Sequence, residues 1–243
     1  MRPRAKQHPA GPTHGRQAGF TLIELLVSII IMAIVGTMLV NTWISLQRAF
    51  EYTQADNLAA STGRDALDRA SSELRAAQPS TLYSTTPSPA FCVTNSSYPC
   101  DNYDCTFYSP YNNPSTNLYS GIAGTAQSVL TEIYIDQTVS GQQKTLWLWR
   151  DTNHDGAMDA GDQKIKLAAN VVNTTLSTPR KMFQYVLDTT GQGVYTTVDS
   201  LTSTNVKAVV AVNMEVVIDA NLKNRPTQID FVSTVRPRNV AAN

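Results

Sequence analysis

The sequence predicts an α+β domain in which one long N-terminal helix packs on an antiparallel β-sheet. Three observations carry the prediction. An apolar run extends from Phe20 to about Val40, an amphipathic stretch continues it to about Gln78, and short apolar segments alternate with turn material in the C-terminal part. A sheet with one apolar face needs a cover, and the amphipathic half of the helix is the natural one. At 243 residues the chain can hold one sizeable globular domain beside a membrane anchor.

Residues 1–19 read as a leader without periodicity, carrying Arg2, Arg4, Lys6 and Arg16 but no acidic residue. Basic residues on one flank of an apolar run predict that this flank stays in the cytoplasm and the rest is exported. The run itself is about twenty residues and spans roughly 30 Å as a helix. That is long for the core of a cleaved secretory signal, and Asn41, Thr42, Trp43 and Ile44 follow it instead of an Ala-x-Ala site. The expectation is a single-pass helix over 20–43 in the cytoplasmic (inner) membrane, despite Gly36 within it. A plain anchor would account for the length and the flanks, but not for Gly19 or Glu24.

From 44 to 78 the helix should continue into the globular domain. Trp43, Leu46, Phe50, Leu58, Leu67 and Leu74 recur at roughly helical spacing and form its predicted apolar face. Arg64 with Asp68, Asp65 with Arg69, and Arg69 with Glu73 fit a solvated opposite face. Pro79 supplies the stop.

Residues 79–243 should form an exported β-rich domain. Within it, about 85–124 reads as a long loop: five prolines recur among Ser, Asn and Tyr98, Tyr103, Tyr108, Tyr111 and Tyr119, with no sustained period. Cys92, Cys100 and Cys105 lie in this stretch. One disulfide among them is expected in an oxidising compartment; three pairings are open and one thiol is left over. Zinc would need a fourth ligand, and the exported part offers only His154, far along the chain. Candidate strands are 129–135, 144–149, 164–167 and 183–186. The clearest is 206–218, with Val210, Val212, Met214, Val216 and Ile218 alternating, and its hairpin partner holds Ile229, Phe231 and Val235.

The charge total excludes little: 19 basic and 19 acidic residues cancel. The exported part has no Lys/Arg cluster of the kind that neutralises phosphates, so no nucleic-acid partner is expected. A catalytic reading has little to stand on, with one exported histidine and no phosphate-binding glycine loop. The Asn-x-Thr/Ser sequons at Asn95 and Asn173 are short enough to arise by chance.

The segment Gly19-Phe20-Thr21-Leu22-Ile23-Glu24-Leu25-Leu26 resembles the processing signal of type IV prepilins and type II secretion pseudopilins. The resemblance implies that a membrane-bound prepilin peptidase cuts between Gly19 and Phe20 and methylates the new amino terminus of Phe20. Glu24 then lies little more than one helical turn from that amine. A carboxylate in hydrocarbon costs roughly 2.5–3.5 kcal/mol on insertion scales, and pairing it with a neighbouring subunit's positive terminus removes much of the penalty. Glu24 is thus expected to key the register of assembly. The size, the β-rich layout and the tail Val235-Arg236-Pro237-Arg238-Asn239 are similar to J-type minor pseudopilins and PilW-like minor pilins. That similarity implies a subunit at or near a fibre tip, partnered by other minor and major subunits, with its domain in the periplasm or at the cell surface. A secretion pseudopilus, a tip adhesin using the Tyr-rich loop and a DNA-uptake subunit are the alternatives.

A second motif lies in the β-rich part. Asp151, Asn153, Asp155, Asp159 and Asp162 place oxygen side chains at positions one, three, five, nine and twelve of a loop with Gly156 at six. This is close to the EF-hand calcium loop, with Ala157 supplying a backbone carbonyl and Asp162 standing where glutamate is usual. The flanks read as strands, and an Asp/Asn/Gly-rich turn joining them is the competing account.

Overall fold

The computed structural model describes residues 21–80, 88–92, 99–110, 112–113, 118–119, 128–138, 140–153, 155, 159–219 and 228–237. The chain forms two compact units, Met1–Glu51 and Tyr52–Asn243. The expected long helix is present as α1, Leu22–Arg75. No proline interrupts the sequence from Thr21 to Gln78, and Pro79 follows the end.

In the first unit the side chains from Leu22 to Phe50 are exposed apart from the half-buried position at Gly36. This part of α1 is long and apolar enough to cross a membrane. Its hydroxyl groups are satisfied within the helix: Ser28, Thr37, Thr42 and Ser45 donate to the carbonyls of Glu24, Ala33, Met38 and Asn41 at 2.7–2.9 Å. Bonds of this kind let a polar side chain sit in hydrocarbon without an unmet donor.

In the second unit the helix buries Ala59, Gly63, Ala66, Ala70, Ser71 and Leu74. The spacing of three and four residues is that of one helical face. The predicted face was different. Leu58 is 61% exposed, and Trp43, Leu46 and Phe50 are also exposed; only Leu67 and Leu74 of the predicted set reach the core. Small residues replace large ones because the sheet comes close. A Cβ built on Gly63 would meet the Phe231 ring at 2.1 Å. Glu73 likewise leaves its helical neighbour Arg69 for Arg150, with which it forms a largely buried ion pair.

The sheet is antiparallel and eight-stranded, built from β1 (Asp104–Pro110), β4 (Ser128–Ile135), β5 (Lys144–Arg150), β6 (Gln163–Val171), β7 (Phe183–Asp188), β8 (Tyr195–Val198), β9 (Val209–Ile218) and β10 (Ile229–Val235). Its order is β1-β4-β5-β6-β9-β7-β8, with β10 beside β9. A separate ribbon pairs β2 (Asn112–Asn113) with β3 (Leu118–Tyr119). The face shared with α1 carries Phe107, Ile133, Leu146, Leu148, Tyr185, Val212, Met214, Val216 and Val235. On the other face Tyr108, Leu130 and Trp149 form a smaller cluster, and Lys164 lies over the Tyr134 and Trp147 rings at 5.5 and 4.7 Å.

Two expectations are corrected. The stretch 85–124 is not all loop, because it supplies β1, whose residues Cys105 to Ser109 are buried. Both faces of β1 are covered, which removes the polar–apolar alternation that marks a strand in sequence. The strand predicted over 206–218 begins with a 3-10 turn, Val206–Ala208. Val186 pairs with Ala211 but Leu187 with Val209. The bulge at Val210 takes that residue off the core face and puts Val209 there instead.

One side chain completes the sheet where β7 and β6 meet along the same edge of β9. The Glu215 N–H donates to the Met182 carbonyl, and the Val172 N–H to the Val217 carbonyl. Between them the Asn173 amide donates to the Glu215 carbonyl and accepts from the Val217 N–H, each at 2.8 Å. Asn173 is fully buried, so its sequon is a structural joint and not a glycan acceptor in the folded domain. Asn95 lies outside the described residues.

Candidate functional site

Three places hold the residues singled out in sequence. The first is the start of α1. Gly19 and Phe20 lie outside the described residues, but Glu24 does not. It stands in the first turn, where the exposed N–H groups of a helix favour a negative charge. Its N–H approaches the Thr21 hydroxyl at 3.4 Å, and the N–H groups of Glu24 and Leu25 donate to the Thr21 carbonyl at 3.1 and 3.2 Å. Thr21-Leu-Ile-Glu24 therefore has the spacing of a capping box, a signal that sequence reading missed.

The second place is the acidic loop joining β5 to β6. Asp151, at the end of β5, is fully buried, and its backbone N–H donates to the Leu130 carbonyl. Carboxylate oxygens of Asp151, Asp155 and Asp162 all lie within 4.8 Å of one another. Positions one, five and twelve of the loop thus converge. Asn153 instead exchanges hydrogen bonds with Asp155, through its amide nitrogen at 2.8 Å and its amide oxygen at 3.1 Å. Asp159 turns its carboxylate to the Gly161 N–H at 2.6 Å. Asp162 accepts from the Thr152 N–H at 2.9 Å, the Trp149 indole at 3.1 Å and the Asp159 N–H at 3.3 Å. Ala157 and His154 lie outside the described residues. The donor set is all oxygen and mainly anionic, the chemistry that suits a hard divalent cation. The link from Asp162 to the fully buried Trp149 ties the loop to the smaller core, and sequence gave no sign of it.

The third place is the edge of β1, which gathers the cysteines. All three are unbridged in the structure. Cys100 and Cys105 are fully buried and stand opposite one another across a tight turn, Asp101 to Asp104. The Asp101 carboxylate caps that turn, accepting from the N–H groups of Tyr103 and Asp104 at 2.8 and 3.1 Å. The Tyr185 hydroxyl donates to the carbonyls of Asp101 and Asp104, and the N–H groups of Met182 and Phe183 to that of Asn102. Cys92 sits farther along the same edge, its N–H on the Thr106 carbonyl.

Carboxylates crowd the other face beside Cys92. Glu132 is buried at 6% exposure, and burial pushes its carboxyl up to about 7, with repulsion from Asp104 and then Asp101 adding to the effect. Burial and then Asp101 push Asp104 up to about 7 as well. The Cys92 thiol is pushed up by burial first, then by Cys100 and Glu132, which keeps it protonated and poorly nucleophilic. Such an edge does not suit nucleophilic catalysis.

Among known proteins, one family model matches, the prokaryotic N-terminal methylation motif, over residues 14–40. No curated protein and no solved structure matches the chain. The matched segment contains Gly19, Phe20 and Glu24, and it runs into a long helix followed by an antiparallel sheet. The chain thus carries the prepilin-like N-terminal methylation motif at the head of a pilin-like α+β arrangement, one long helix followed by an antiparallel sheet.

Proposed function

We propose that this chain is a minor pilin-like subunit, incorporated at or near the tip of a type IV pilus, where it primes assembly. The observation that carries the reading is the methylation motif at the head of a helix whose first turns expose Leu22, Ile23, Leu25 and Leu26 around a single carboxylate, Glu24. Prepilin peptidase cuts between Gly19 and Phe20 and methylates Phe20, which leaves the new amine positive. Before assembly the apolar helix anchors the subunit in the inner membrane, with the basic leader in the cytoplasm and the domain outside. In the fibre Glu24 pairs with the positive terminus of a neighbouring subunit. A domain of this size is tolerated at a tip, where nothing must stack above it. The role is structural and not enzymatic.

Deleting the gene and counting surface pili by electron microscopy tests the role. Loss of pili, restored by the wild-type gene but not by Glu24→Ala, is the expected outcome, with export and leader cleavage of the variant intact. Pili unchanged by the deletion would contradict pilus priming and favour a secretion pseudopilus.

We further propose that the acidic loop binds calcium as a structural ion. The convergence of Asp151, Asp155 and Asp162 supports this, because three mutually repelling carboxylates gain from a shared divalent cation. Asn153, Asp159 and the Ala157 carbonyl would complete the ligand set, in line with their spacing. Millimolar calcium is expected to raise the melting temperature of the detergent-solubilised chain by several degrees and to shift Trp149 fluorescence, with Asp155→Ala losing both responses. A melting temperature indifferent to calcium would remove the claim.

A further inference from the structure

The geometry points to a disulfide between Cys100 and Cys105, formed after export, with Cys92 left as the free thiol. Sequence leaves three pairings open; the β1 edge separates them. The Asp101 N–H donates to the Asp104 carbonyl at 2.8 Å, which makes 101 and 104 a hydrogen-bonded pair at the mouth of the turn. The next pair outward, Cys100 opposite Cys105, is then of the non-hydrogen-bonded kind. In that kind Cα atoms approach to about 4.5 Å and side chains on one face stand closest, within the range that a disulfide spans. Both side chains belong to the main core and are fully buried.

Cys92 is placed differently. Phe91 is bridged to Phe107, so Cys92 lies alongside Thr106, one residue out of step with Cys105. Successive side chains of a strand point to opposite faces. Cys105 therefore faces the helix-covered core, whereas Cys92 shares the face of Thr106 and Glu132. A Cys92–Cys105 bond would need one strand to rotate. A Cys92–Cys100 bond would need Cys100 to turn from the face it shares with Cys105, its register partner, to the face of Cys92.

The reaction is a thiol–disulfide exchange. A disulfide-bearing oxidant accepts two electrons and two protons as its own S–S bond breaks, and the new S–S bond joins Cys100 to Cys105. Formation in cells rests on the export proposed above; the choice of partners does not.

Two samples of the full chain keep these apart. One is trapped directly from cells with acid and an alkylating agent. The other is solubilised in detergent, reduced, freed of reductant, exposed to oxidised glutathione and then alkylated. Each is digested at aspartate, which cuts between Cys100 and Cys105, and mapped by mass spectrometry without reduction. The expected product in both is a cross-linked pair of fragments, lighter than the dithiol by two hydrogen atoms, with the alkyl group on Cys92. It should persist in Cys92→Ser and vanish in Cys100→Ser and Cys105→Ser. A link that survives Cys100→Ser or Cys105→Ser, or three free thiols after glutathione, would overturn the pairing. The predicted link with glutathione but free thiols in cells would uphold the pairing and count against export.

Discussion

Gly63 shows how one residue sets the distance between helix and sheet. Alanine would add up to about 1 kcal/mol of helix propensity at this position. It would also drive a methyl group into the Phe231 ring, and overpacking of this kind costs roughly 1–3 kcal/mol. The clash wins because Phe231 sits in β10 and packs against the core beside Ile229. Gly63→Ala should therefore lower thermal stability by about 1 kcal/mol or more, and adding Phe231→Leu should recover part of it. Equal melting temperatures for Gly63→Ala and wild type would show that the ring is free to move. Glu132 makes a second argument at this scale. Its carboxyl is raised from 4.5 to about 7 by burial first and neighbouring carboxylates second. The folded state then holds a proton that the unfolded state has released, so this group's contribution to stability is fully present below pH 4.5 and is lost as pH rises to about 7. Glu132→Gln is expected to raise stability at pH 8 by on the order of 2 kcal/mol and to change little at pH 4. Chemical denaturation at the two pH values checks this, and equal effects at both would contradict it.

Individual elements were legible in proportion to how one-sided their burial is. The strands β4, β5, β7 and β10 were found within one or two residues, because apolar runs bounded by turns are strong signals. The helix was placed well, but its face was assigned wrongly: periodicity marked the large residues, whereas close packing buries Ala59, Gly63, Ala66 and Ala70. The strand β1 was hidden by burial on both faces, and β8, with three of its four residues exposed, had no apolar signal to find. The spacing of the acidic loop could be read directly, yet the amide bond of Asn153 to Asp155 and the turning of the Asp159 carboxylate to Gly161 could not. Neither could the Asn173 joint, since a sequon says nothing of the strand ends it bridges.

At the scale of the whole molecule the two units divide the work. The first unit supplies an exposed apolar helix with one carboxylate near its start, and the second supplies a folded domain stabilised by its own core. Everything in the proposed assembly depends on creating a charged terminus next to Glu24, because an uncleaved leader would put neutral peptide bonds where the amine must be. The most direct measurement is therefore the intact mass of the membrane-extracted protein, with sequencing of its N-terminal peptide. The account predicts a chain that begins at Phe20, lacks residues 1–19 and carries one methyl group on its amino terminus. A chain that keeps the leader, or begins elsewhere than Phe20, would contradict it.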